Sequence, residues 1–217
     1  MMSNIFSKRT QKLVEFDLLR YGARLKVGKQ KFSVQTDKLH LGCQNKKIDG
    51  WLNVDVISSD IDIDLASGYL PFEDKTFKFV ICQQTIEHLD IKSELIPLFK
   101  EIKRVCAPNA EIWLSCPDIS KICTGYITDK GNELLKGKQQ RYKYDHGGLP
   151  DQHVINSHFY QEGEHQNLFD FELLRWTLMQ ARLENIESVT EEIFLKRFPA
   201  FPRANDEDHS LYVKVIA

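Results

Sequence analysis

Gly42 ends one apolar run, KLHLG, and Asp55 ends the next, WLNVD, thirteen residues further on. A glycine directly after a buried strand lets backbone approach a ligand closely, and its neighbouring amides can face an anion. An acid at the end of the following strand can accept hydrogen bonds from two ribose hydroxyls. A dinucleotide site would need three glycines, a full helix opening on the pyrophosphate, and an acid about 20 residues on. Here Gln44 stands where a second glycine would be expected, and only residues 44 to 51 separate the two runs. A crossover helix does not fit in that space. The pair therefore suits a ligand with one ribose and a small charged tail.

A second chemistry is proton transfer. Histidine titrates near neutral pH and suits removal of a proton from a hydroxyl. His88 follows the run FKFVICQQ, while His146, His153, His158 and His165 fall between residues 119 and 168, near Asp145, Asp151, Glu162 and Glu164. No HxH or HExxH spacing joins them, so no metal site is expected and solvated polar groups are the plainer reading.

The elements that would position these groups alternate. KLHLGC reads as a first strand, WLNVDV as a second, IDIDL (61 to 65) as a third and FKFVICQQ (77 to 84) as a fourth. Residues 92 to 106 form a helix with Leu95, Leu98, Phe99, Ile102 and Val105 on one face and Pro97 near its first turn, and AEIWLSCPD enters a fifth strand. DFELLRWTLMQARLEN reads as a helix capped by Asp170, with Phe171, Leu174, Leu178 and Ala181 as its buried stripe and Asn185 as its stop. NIESV and SLYVKVIA supply two more strands. This pattern predicts an α/β fold with a doubly wound, mostly parallel, seven-stranded sheet. Residues 119 to 168 lack clear periodicity and are expected as an inserted polar lid before the last helix and strands. Residues 1 to 37 form a separate N-terminal segment. Its stretch 7 to 31 carries eight Lys and Arg against two acids, and Val14, Leu18, Tyr21 and Leu25 recur at helical spacing, which predicts an amphipathic helix with a basic outer face.

Composition removes several classes. A net charge of -2 gives no ground for a nucleic-acid partner. No apolar run approaches the ~20 residues that span a bilayer, and MMSNIFSKRT lacks the apolar centre of a secretion signal. The five cysteines form no CxxC pair and read as small buried hydrophobes in a reducing cytoplasm.

With strand spacing in view, LHLGCQNKKIDGWLNVD resembles the first motif of class I S-adenosylmethionine-dependent methyltransferases, in the variant with a shortened first helix. DIDLASGYLPFEDKTFKFVICQQTIEHLD resembles that family's middle block, and KEIKRVCAPNAEIWLSCPD the turn into its fifth strand. Asn109-Ala110 stands there for the usual Gly-Gly, and Asn tolerates left-handed geometry. The resemblance covers residues 38 to 118 well and 170 to 216 more loosely. It implies a Rossmann-like fold over 38 to 217 and S-adenosylmethionine as cofactor. It places Leu41, Gly42, Cys43 and Gln44 at the methionine moiety, Asp55 at the ribose and Val56 beside the adenine. Asp64 and Leu65 would lie at the adenine, with Gln83 and Gln84 near the transferable methyl.

Methyl transfer from a sulfonium is an in-line displacement in which the cofactor supplies the leaving group. The protein must orient the nucleophile and take its proton. The candidates for that proton are His88, His146 and His153, with His158 beside them. The tyrosines, histidines and carboxylates of the insertion suit a small polar acceptor, a saccharide or related metabolite, and KGKQQRYK suits a phosphosugar. Two other classes compete. One is a non-catalytic domain of this fold, favoured by Gln44. The other is a nicotinamide-dependent oxidoreductase, disfavoured by the missing glycines.

Overall fold

The computed structural model describes residues 7–28 and 30–217. MMSNIF and Lys29, both read above as part of the N-terminal segment, lie outside the described residues.

The alternating runs form one seven-stranded sheet. Its strands are β1 (Lys38–Leu41), β2 (Leu52–Asp55), β3 (Ile61–Asp62), β4 (Phe77–Gln83), β5 (Cys106–Pro117), β6 (Asn185–Val189) and β7 (Ser210–Ile216). Their spatial order is β3-β2-β1-β4-β5-β7-β6. β3, β2, β1, β4 and β5 run parallel, and β7 is antiparallel to both β5 and β6. Chain order reverses between β1 and β4, and ligands of open α/β sheets bind at such a switch point, outside the carboxyl ends of the strands.

Side chains alternate across the sheet with period two. Leu39, Leu41, Val54, Val80, Cys82, Ile112, Leu114, Val213 and Val215 fill one face with the main core. That face is covered by α2 (Ile96–Val105) and α6 (Phe171–Gln180), which bury Leu98, Phe99, Ile102, Val105, Leu174 and Leu178. Asp170 caps α6 by accepting from the Leu173 amide. Asn185 does not stop that helix, which ends at Gln180; it begins β6 instead. α2 is entered through a wide turn at Ile91–Leu95, and Pro97 sits in its first turn where no donor is lost.

The opposite face has no crossover helix between β1 and β2, for want of chain. It is closed by aromatics instead. Trp51, Phe198 and Phe201 pack edge to face at 5.1–5.5 Å from Trp51, and Trp113 meets Phe198 at 5.5 Å. Phe198 and Phe201 follow α7 (Glu191–Arg197), a short helix that sequence periodicity did not announce. β3 is shorter than IDIDL suggested, because Asp64 leaves the ladder to cap a tight turn at Leu65–Ser67.

Residues 119 to 168 carry three α-helices joined by loops. α3 (Ile119–Asp129), α4 (Asn132–Tyr142) and α5 (His153–Tyr160) bury Ile122, Leu134, Leu135, Val154 and Ile155 in a small core of their own.

The N-terminal helix, α1 (Lys8–Val27), forms as expected but faces the other way. Leu18, Tyr21 and Leu25, three residues of the expected stripe, are 60–65% exposed. Ala23 and Val27 are buried instead, and Arg20 and Arg24 point toward the domain. An ion-paired contact to buried Asp64 determines the rotation of this helix, and its apolar periodicity does not. Of the cysteines, Cys43, Cys82, Cys106 and Cys116 are buried thiols, and only Cys123 is exposed.

Candidate active site

The short connection after β1 is built on Asn53, whose role the sequence did not suggest. Its amide nitrogen donates to the carbonyls of Ile48 (3.1 Å) and Trp51 (3.0 Å), and its amide oxygen accepts from the Ile48 N–H (2.8 Å). One buried side chain thus satisfies loop groups that a helix would otherwise satisfy. Asn53→Ala leaves these backbone groups unpaired, and we expect it to cost about 2–3 kcal/mol, read as a lower midpoint in denaturant. A loss below about 0.5 kcal/mol would mean that the loop holds itself.

Gly42 adopts φ +66°, and a Cβ there would lie 2.0 Å from Oγ1 of Thr85. The turn after β4 therefore packs directly onto the turn after β1. Gln44 also lies in the left-handed region, at φ +49°, which explains why glycine would be expected there. Its side chain is exposed and does not block the turn, while its N–H donates to Asp55 Oδ2 at 2.7 Å. The other oxygen, Oδ1, accepts from the Val56 N–H at 2.6 Å. Two backbone amides thus orient the half-buried Asp55, and each carboxylate oxygen keeps a further lone pair. Leu41 and Cys43 are buried beside the turn, and burial pushes the Cys43 thiol up to about 11, so it stays protonated.

Two expected ligand contacts are engaged elsewhere. Asp64 is 4% exposed, and its carboxylate accepts from Arg20 Nε (3.1 Å), from Arg24 Nε and from the Ala66 N–H. Arg20 also reaches Glu94 at 2.8 Å. Those bonds come from α1, whose facing the sequence misassigned. Gln84 turns at φ +49° and donates from Nε2 to buried Asp206 (3.1 Å) and to Ser210 (3.0 Å). It serves the join between β4 and β7. Gln83 stays half-buried at the end of β4, Val56 half-buried after β2, and Leu65 buried in the tight turn.

The candidate bases separate as well. His153 pairs with the Tyr144 hydroxyl at 3.3 Å within the insertion, and His146 lies half-buried in the loop after α4. The basic stretch of α4 is already paired: Arg141 binds the Asn205 carbonyl and Asp208, and Lys138 binds Ser157 and stacks over Tyr144. His88 meets a residue that the sequence left unlinked to it, His165, with ring centres 4.9 Å apart. Glu87, before His88, is 1% exposed, and its Oε2 has no hydrogen-bond partner. Burial pushes the Glu87 carboxyl up to about 8, lowers His88, and pushes His165 down to about 4. The backbone of Glu87 also receives the Gln166 and Asn167 amides, which ties the insertion to the end of β4.

Two clefts, of about 420 and 310 Å³, lie between α3 and α4 and between the end of α1 and β3; neither is lined by Gly42, Asp55 or Gln83. Among the described residues no helix is long and apolar enough to cross a membrane.

Residues 21–114 match a family described as a methyltransferase domain. A search of curated proteins finds no match. Among solved structures, a SAM-dependent methyltransferase from Archaeoglobus fulgidus superposes with a TM-score of 0.50 at 16% identity, covering 97% of this chain and 95% of that one. A phosphoethanolamine N-methyltransferase from Haemonchus contortus, in complex with phosphomonomethylethanolamine and S-adenosylhomocysteine, gives 0.45 at 14%, with all of this chain on 59% of that one. An S-adenosylmethionine-dependent methyltransferase from Mesorhizobium loti gives 0.45 at 12%, covering 91% and 96%.

Proposed function

We propose that this chain, a class I methyltransferase by its strand order and by the match over residues 21–114, holds S-adenosylmethionine across the carboxyl ends of β1, β2 and β4. It transfers the methyl group to a small polar acceptor, as O-methylation of a saccharide or related metabolite. The observation that carries this reading is Asp55. Its two oxygens are oriented by the amides of Gln44 and Val56 and retain lone pairs for the two hydroxyls of one ribose. The Gly42 turn lies alongside, packed directly against Thr85 of the turn after β4.

The residues divide the work by position. Asp55 binds the sugar. Gly42, Cys43 and Gln44 line the amino-acid end, their amides committed to the Val54 carbonyl and to Asp55, and Gln83 stands beside the reacting centre at the end of β4. The bound cofactor supplies the electrophilic methyl and the sulfur leaving group. Activation of the acceptor hydroxyl is assigned to the cluster of Glu87, His88 and His165 at the end of β4, where burial favours the neutral form of both imidazoles and leaves each a lone pair.

The test is titration calorimetry with S-adenosylhomocysteine. One molecule is expected per chain, and Asp55→Ala is expected to weaken binding by about 1–3 kcal/mol, roughly 5- to 150-fold. An unchanged affinity in that variant removes Asp55 from the site. A second reading, a domain of this fold that binds partners without catalysis, is favoured by the arginines of α1 seated on Asp64. Absence of heat and of a thermal shift at millimolar ligand would decide for it. Preference for NADH would instead revive an oxidoreductase.

A further inference from the structure

Both histidines beside Glu87 are bonded through Nδ1 to a backbone carbonyl. His88 Nδ1 lies 3.2 Å from the Glu164 oxygen, and His165 Nδ1 lies 2.7 Å from the His158 oxygen. A carbonyl can only accept, so each Nδ1 carries the proton. In a neutral imidazole the remaining nitrogen, Nε2, then holds a lone pair. The rings are in edge contact, and one donor atom from each of Glu87, His88 and His165 lies within 4.8 Å of the other two. Glu87 contributes a buried oxygen, Oε2, that nothing in the protein satisfies.

A buried carboxyl oxygen without a partner costs free energy, and each imidazole holds an Nε2 lone pair that its backbone bond does not use. All three deficits are met by one positive ion. Backbone carbonyls on the far nitrogens are the arrangement that orients metal-bound histidines and fixes their tautomer.

We propose that Glu87, His88 and His165 form a binding site for one first-row divalent cation of the Mn²⁺, Fe²⁺ or Zn²⁺ class. Two imidazoles and one carboxylate are a donor set for these metals and a poor one for Ca²⁺ or Mg²⁺, which take oxygen ligands. A cation about 2.1 Å from each donor needs donors about 3–3.4 Å apart, so the cluster contracts on binding. Three protein ligands leave positions on the ion open to a substrate. There the ion would take the acceptor hydroxyl as a ligand, lower its pKa and release its proton to water while the alkoxide attacks the methyl group. His88 is then a ligand and not the base. This role rests on the methyl-transfer reading; the site itself does not.

The experiment uses the full chain, stripped with chelator and free of cofactor, so that its failure is separate from failure to bind S-adenosylhomocysteine. Mn²⁺ is titrated and followed by loss of the free-ion electron paramagnetic resonance signal, and Co²⁺ by its visible absorption. One ion per chain is expected. Glu87→Gln is close in shape and stays neutral, so it keeps the fold, and it should weaken binding at least 10-fold. His165→Ala, at a half-buried position, should do the same and should alter the Co²⁺ spectrum. Absence of stoichiometric binding at millimolar metal overturns the proposal, as does binding that both variants leave unchanged.

Discussion

Gly42→Ala should destabilise the protein by about 3–5 kcal/mol and abolish measurable S-adenosylhomocysteine binding. Two costs add. The first is conformational: a φ of +66° strains any residue with a Cβ, at about 1 kcal/mol. The second is steric and larger. The new methyl carbon would stand 2.0 Å from Oγ1, 2.8 Å from Cγ2 and 2.9 Å from Cβ of Thr85. None of these atoms is the free end of a long side chain, and the Thr85 hydroxyl is held by the Gln83 carbonyl at 3.0 Å. Relief requires the turns after β1 and β4 to part, and the proposed cofactor site is made of those turns. A cycle separates the two costs. Thr85→Gly removes every atom in the clash, so Gly42→Ala in that background should cost only about 1 kcal/mol, the strain alone. Equal costs in both backgrounds would show that close packing of the turns is not what requires glycine.

The second large effect is expected at α1. Asp64 is a buried carboxylate whose charge is met from outside the sheet by Arg20 and Arg24, whose side chains are 21% and 49% exposed. Exposed ion pairs contribute little, but here one partner is out of water, and stripping both arginines leaves its charge uncompensated. In Arg20→Ala/Arg24→Ala the lowest-energy response is for α1 to lift and let water reach Asp64. We expect docking of α1 to lose about 2–3 kcal/mol, read as roughly 30- to 150-fold faster amide exchange along residues 8–27, with the sheet unaffected. Because Asp64 is also where the adenine amine was expected, the same variant should bind S-adenosylhomocysteine at least as tightly as the parent. Unchanged exchange in α1 would show that Ala23 and Val27 hold the helix without the charges.

The sequence by itself determined the sheet, the shortened first connection and the places of Gly42 after β1 and Asp55 at the end of β2. Those rest on local causes. Period-two apolar runs specify strands, eight residues cannot hold a crossover helix together with its two connections, and an acid thirteen residues past a glycine falls at the next strand end. Asn109 in left-handed geometry and Asp170 as a cap were legible for the same reason, since both depend on neighbours within a few residues. Only the tertiary structure decided the rest. The rotation of α1 follows from Asp64, which periodicity within α1 cannot see. Gln84 turns to Asp206 because β7 returns beside β5. His165 meets His88 because the insertion folds back onto the end of β4 through the Glu87 carbonyl. A ligand set is readable from spacing when one element carries it. When separate segments supply it, only packing brings the donor atoms together, and packing free energy is summed over the whole chain.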